Sequence, residues 1–211
     1  MFVTLIPTSY RAELKDYFVY TDKNDGNIAG VNLDPQDGNT WDITVNKALF
    51  YDANGKFDVK ENIHTLVHEF GHLLTLGKQQ VDYIPADIQS DAAIDRLAAK
   101  CSTTFVMEGC LKSNAYLEKF IKNFWTKSDI AKTENQQGDV YSGNESKFVS
   151  DYAATDTAED IAESFTYFVI KAKPTGNTIA DQKVQFFYQY DELVALREMI
   201  RKRVEDITTA Q

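Results

Sequence analysis

From about Val59 the hydrophobic pattern takes a helical period. Ile63, Leu66, Val67, Phe70, Leu73 and Leu74 follow i, i+3, i+4, i+7 spacing, and Gly77 stands where a helix stops. His64, His68 and His72 recur every fourth residue along the same stretch, and they are the only three histidines among the 211 residues. At about 100° per residue the apolar stripe centres on one side of this helix. His68 and His72 project from the other side, one turn apart, with Glu69 flanking them. A chain built around such a helix needs a core on one side and a polar partner on the other.

The flanking segments set the fold class. Phe2 to Ile6, Tyr17 to Thr21 and Trp41 to Val45 are rich in β-branched or aromatic residues and bounded by turn clusters, which predicts strands. Between the last two lies DKNDGNIAGVNLDPQDGN, whose Asn, Asp and Gly content is loop chemistry. Asp22, Asn24 and Asp25 resemble the start of a calcium loop, but Gly26 falls one position early and the closing Glu is missing, so a solvated turn is expected. Further helices are predicted at about 90–100, 114–126, 157–171 and 188–206, and the polar stretch 131–147 reads as a long loop or flap. The expectation is one α+β domain over residues 1–211: a small N-terminal mixed sheet with the histidine helix, then a mainly helical C-terminal part.

Composition excludes several function classes. A 43% hydrophobic, 26% charged chain has ample material for a core. With 22 basic against 32 acidic side chains the formal net charge is −10, which argues against nucleic acid as a partner and against a polybasic membrane surface. No apolar run approaches the ~20 residues of a membrane-spanning helix. The opening MFVTLIPTSY has neither a basic n-region nor a small-residue cleavage site, so it reads as a strand and not as a signal segment.

His68-Glu69-Phe70-Gly71-His72 is an H-E-x-x-H sequence. Two imidazoles one turn apart can reach one Zn²⁺ at ~2.0–2.1 Å, and the intervening carboxylate can meet an activated water as general base. Gly71 is expected to keep the helix flank slim beside a neighbouring strand. His64 lies a further turn back, too far along a straight axis for the same ion, and is expected at the surface or beside a ligand. With no histidine left, the third ligand must be Asp, Glu or Cys. The metzincin extension fails, because Thr75 and Lys78 stand where Gly and His are required. Glu159 and Glu163, at i, i+4 on a predicted helix whose opposite face carries Ile161, Phe165 and Phe168, are the carboxylates that fit, and spacing alone leaves both open. Asp156 or Thr157 can cap that helix.

These two blocks, LVHEFGH and FVSDYA followed by EDIAESF, resemble the zinc-binding metallopeptidases of bacteria that include lipoproteins associated with substrate import. They are also similar to the anthrax lethal factor type of gluzincin, a zincin-like fold. In that type a Tyr precedes the liganding Glu by seven residues, and Tyr152 stands seven before Glu159. The resemblance therefore implies His68, His72 and Glu159 as ligands, Glu163 as the carboxylate that orients a liganding imidazole, and Tyr152 as donor to the developing oxyanion. It further implies a peptide or protein substrate and an extracellular, periplasmic or lipid-anchored cell-surface location. The strand WDITVN suits either the edge that binds extended peptide or an interior position.

Cys101 and Cys110 lack metal-ligand spacing, and either a disulfide or two buried thiols is compatible with them. The export implied by the resemblance favours the disulfide, across a helix-loop-helix corner. The function expected is zinc-dependent peptide hydrolysis. Two alternatives are a catalytically silent zinc-containing binding module of a surface import or adhesion assembly, and hydrolysis of another planar amide.

Overall fold

The computed structural model describes residues 1–51, 54, 58–134 and 140–209. The chain opens on a short helix, α1 (Phe2–Leu5), where a strand was predicted. Phe2, Leu5 and Ile6 sit at i, i+3, i+4 and are all buried, so a helical turn buries the three together and a strand would split them between two faces. Strands β1 (Leu14–Tyr20), β2 (Ala29–Leu33) and β3 (Trp41–Asn46) follow, in the order β1-β3-β2. β3 pairs parallel with β1 and antiparallel with β2, with Val31 opposite Ile43. WDITVN is therefore the central strand, and the peptide-edge reading of it is corrected: its backbone is paired on both sides, by β1 and by β2, which leaves no free edge for a peptide.

The edge beside the histidine helix is β2, inside the stretch read from its Asn, Asp and Gly as loop alone. Only its flanks are turns. Asp22 and Asp25 accept from the backbone N–H groups of Asn24 and Asn27, and Tyr20 donates to Asp25, so these acids are consumed by their own turn. Asp34 closes the other flank, accepting from Gln36 N and pairing with Lys15.

Helix α2 (Val59–Leu76) is capped by the Asp58 side chain, which accepts from Glu61 N at 3.0 Å, and it ends at Gly77. Next come β4 (Val81–Tyr83), α3 (Asp91–Ala98), β5 (Phe105–Val106) and β6 (Gly109–Leu111), then α4 (Tyr116–Phe124) and α5 (Lys127–Glu134). β4, β6 and β5 form a second antiparallel sheet, so the expected succession of strands and then helices is interrupted. Gly109, at φ +147°, is required there, because a Cβ would lie 2.2 Å from the Asp82 carbonyl across the strand pair. Cys101 and Cys110 are bridged, tying the end of α3 to β6; the corner is a helix followed by a hairpin. In the stretch 131–147, α5 covers the start and a 3-10 turn at Glu145–Lys147 the end; residues 135–139 of the expected flap lie outside the described residues.

The chain closes with α6 (Thr157–Ile170), α7 (Ile179–Phe186) and α8 (Asp191–Thr209); α7 was not predicted. Asp156 caps α6, accepting from Ala158 N and Glu159 N. α2 and α6 pack along their length, with Phe70 and Phe165 meeting edge to face at 5.9 Å. Gly71 faces α6, not a strand, and a Cβ on it would lie 3.0 Å from Ala162 Cα. Phe165, Phe168 and Phe187 are fully buried behind this contact. The whole is mixed α+β with small sheets and a dominant helical layer. Among the described residues no helix is long and apolar enough to cross a membrane.

Candidate metal centre

Two helices supply the donor atoms. α2 presents His68 and His72 from consecutive turns, and α6 presents Glu159 from its first turn. Because α6 lies over the histidine face, both imidazoles are buried, whereas an amphipathic helix alone would leave that face wet. His68 Nε2 and His72 Nε2 stand 3.0 Å apart. Glu159 Oε2 lies 2.9 Å from the first and 3.3 Å from the second. The three ligand atoms fall within 4.8 Å of one another.

The directions of these atoms are as informative as their distances. Glu159 Oε2 is buried and makes no hydrogen bond, although both imidazole nitrogens approach it. The three atoms converge on a shared point, where His72 Nε2 and His68 Nε2 are within hydrogen-bond distance of each other and Glu159 Oε2 lies beside them. A buried orphan oxygen next to two imidazole nitrogens is a donor set that a divalent cation satisfies, and two nitrogens with one carboxylate suit zinc.

Glu163, one turn beyond Glu159, has both oxygens occupied. Oε1 accepts from His68 Nδ1 at 2.9 Å and from His64 Nε2 at 2.9 Å, and Oε2 accepts from Ser150 Oγ at 2.7 Å. A carboxylate can only accept, so His68 carries its proton on Nδ1 and turns Nε2 to the cluster. His64 thus stands outside the donor set and touches it through Glu163. Ser150 lies within the FVSDYA block. No sequence signal singles it out, since its partner is fixed by the packing of the 148–154 segment on α6.

The electrostatics follow from burial opposed by pairing. Burial works against a charged His68, but its contacts with Glu159 and Glu163 and the nearby Glu69 charge outweigh it and lift His68 to about 10. Burial likewise opposes ionised Glu159, and the two imidazoles overcome it, lowering Glu159 to about 2. Glu163 is held well below the carboxylate range by His64, His68 and Ser150 against the same burial. Pairing with two carboxylates therefore favours the protonated form of His68 when no metal is bound, so proton and cation compete for the cluster.

Glu69 is buried beside the cluster, next to the Val31 backbone of β2. Burial pushes its carboxyl up, and the charges of His72 and His68 pull against that shift. A carboxylate displaced upward in this way is a better proton acceptor near neutral pH. Tyr152 begins a 3-10 turn seated by buried Ala153 and Ala154. Its ring lies 5.5 Å from that of His68, half of the residue is exposed, and burial with the charges of Glu159 and Glu69 holds its phenol above the usual range. Glu108, in the β5–β6 turn, is also raised by burial, with the His72 charge opposing; a lone Glu in a hairpin gave no sequence signal. A cleft of about 450 Å³ opens beside Glu69, between Asn27–Ala29, His64, Tyr152 and Tyr167.

No protein-family model matches this chain, and no curated protein matches it. Among solved structures it is similar to the crystal structure of "a putative zinc-binding metallo-peptidase" from Bacteroides caccae, with 18% identity and a TM-score of 0.44, over 92% of this chain and 66% of that one. The chain therefore spans less than two thirds of that protein's crystallised length.

Proposed function

We propose that this chain is a zinc-dependent peptidase of gluzincin type, with His68, His72 and Glu159 as ligands. The observation that carries the reading is the convergence of three donor atoms within 4.8 Å, one of them a buried oxygen without a hydrogen bond. When bound there, zinc supplies Lewis-acid polarisation and acidifies a water. Glu69 accepts the proton of the attacking water and returns it to the leaving amine. Tyr152 donates its hydroxyl to the carbonyl oxygen as charge develops. Glu163 and Ser150 hold His68 in the tautomer that leaves Nε2 free. β2 pairs with β3 alone among the described strands, so its other edge is open to an extended peptide lying along the cleft. The Cys101–Cys110 bridge supports an extracellular, periplasmic or cell-surface location, since disulfides persist in oxidising compartments.

Metal analysis combined with a peptide-library digest, with and without a chelator, tests the proposal. About one zinc per chain and chelator-sensitive cleavage are expected. Glu69→Gln should keep the zinc and lose about 10²- to 10⁴-fold in kcat. Full activity in that variant overturns the mechanism, and bound zinc with no cleavage of any peptide points to the silent binding module.

A further inference from the structure

Lys183 on α7 and Asp160 on α6 are both fully buried, away from the cleft. Lys183 Nζ lies 2.5 Å from Asp160 Oδ2 and 3.9 Å above the Phe148 ring, with the Trp125 and Phe120 rings at 5.6 and 5.9 Å. Trp125 Nε1 donates to the same Asp160 oxygen at 2.8 Å, and Ser164 Oγ reaches Oδ1 at 3.4 Å. An apolar pair of equal volume would stabilise such a site as well or better, so stability alone does not explain charges here.

The position of the pair does explain them. Asp160 directly follows Glu159 in the first turn of α6, about 100° further round the axis. Glu159 and Glu163 face α2 while Asp160 and Ser164 face Trp125 and Lys183, so the helix is held from two sides. Rotating a helix by about 10° moves a side chain at its ~5–6 Å surface by about 1 Å, and a metal or catalytic constellation tolerates about 0.5 Å. Lys183 holds a second piece through Phe148, which stands two residues before Ser150, the donor to Glu163 Oε2.

We infer that the buried Asp160–Lys183 pair is a positioning device, fixing the rotation of α6 and the seat of the 148–152 segment so that Glu159, Glu163 and Ser150 meet His68. In naming a metal consequence the inference rests on the proposed zinc site, but its geometric content does not. The test is the double variant Asp160→Leu/Lys183→Met, which keeps volume and removes both charges. Two readouts are taken on folded protein: zinc affinity, and the downfield proton resonance of His68 Nδ1–H bonded to Glu163 in the metal-free state. Zinc binding about 10- to 100-fold weaker and a broadened or upfield-shifted His68 resonance are expected, with the melting transition still cooperative. A folded double variant with wild-type zinc affinity and an unchanged His68 resonance overturns the inference. Should that variant not fold, the milder Asp160→Asn keeps the volume and the Trp125 contact while removing the charge that pairs with Lys183, and should shift the same resonance in the same direction; an unchanged resonance there overturns the inference. If the wild-type protein binds no zinc, the proposed function fails, and the metal-free His68 resonance still decides this inference by itself.

Discussion

Gly71→Ala isolates the α2–α6 contact on which the candidate centre depends. In an ordinary exposed helix interior this change stabilises by about 1 kcal/mol, because alanine loses less backbone entropy on folding. Here the added methyl meets Ala162 Cα at 3.0 Å, its Cβ at 3.2 Å and its carbonyl oxygen at 3.3 Å. Two of those three atoms are backbone, so relief requires the helices to separate by a few tenths of an ångström. Overpacking of this kind costs about 1–3 kcal/mol, which offsets the propensity gain and leaves a net destabilisation of about 0–2 kcal/mol. Gly71 lies between Glu69 and His72, and Ala162 directly precedes Glu163, so the separation falls on the donor atoms themselves. Zinc affinity should therefore drop even where stability changes little. Ala162→Gly in the Gly71→Ala background removes only the 3.2 Å contact and leaves both backbone contacts, so it should restore the affinity in part, while itself costing about 1 kcal/mol of helix propensity. Urea denaturation and zinc competition on the four proteins of this cycle give both quantities. A Gly71→Ala protein that is about 1 kcal/mol more stable and binds zinc as tightly as wild type refutes the argument.

The remaining expectations concern single groups. Glu159→Ala should lose zinc more completely than Glu163→Ala, for which a 10- to 100-fold weakening is expected; the reverse order, seen by metal titration, would exchange the two roles. Without metal, His68, raised from 6.5 to about 10, contributes stability that is complete below pH 6.5 and lost as pH climbs through about 10. Glu159, lowered from 4.5 to about 2, contributes stability present above pH 4.5 and lost as pH falls through about 2. The cluster therefore stabilises metal-free protein most between pH 4.5 and 6.5, and a urea series showing stability that rises steadily from pH 6.5 to 10 contradicts this. Reducing Cys101–Cys110, which closes a loop nine residues in separation, should cost about 2–3 kcal/mol in the same assay.

Local periodicity was enough to lay out the helix carrying His68 and His72, and the spacing of Glu159 and Glu163 marked a second helix with a carboxylate face. Which carboxylate completes the donor set was not legible in spacing, because both residues face α2 and the distinction lies in which oxygens His64 and Ser150 already occupy. His64 met its partner 99 residues away, a distance no local pattern spans. β2 was hidden because a short strand containing Gly30 and Asn32 has the composition of its own turns. Its identity comes from pairing with β3. The same pairing made WDITVN central, since edge and interior strands of similar composition differ only in their neighbours. At the N-terminus, apolar content outweighed spacing in the strand prediction, and spacing was the better guide.

The donor set has one property that arises from chain connectivity. His72 and Glu159 are 87 residues apart, so an ion held between them acts as a cross-link closing most of the middle of the chain. The Cys101–Cys110 bridge lies inside that loop and shortens it by about a tenth. By the logarithmic dependence of closure entropy on length, this changes the cost of closing the larger loop by about 0.1 kcal/mol. The two cross-links are nested yet nearly independent. A reducing environment would loosen the β5–β6 hairpin while leaving the helix pair as ready to take up its ion as before.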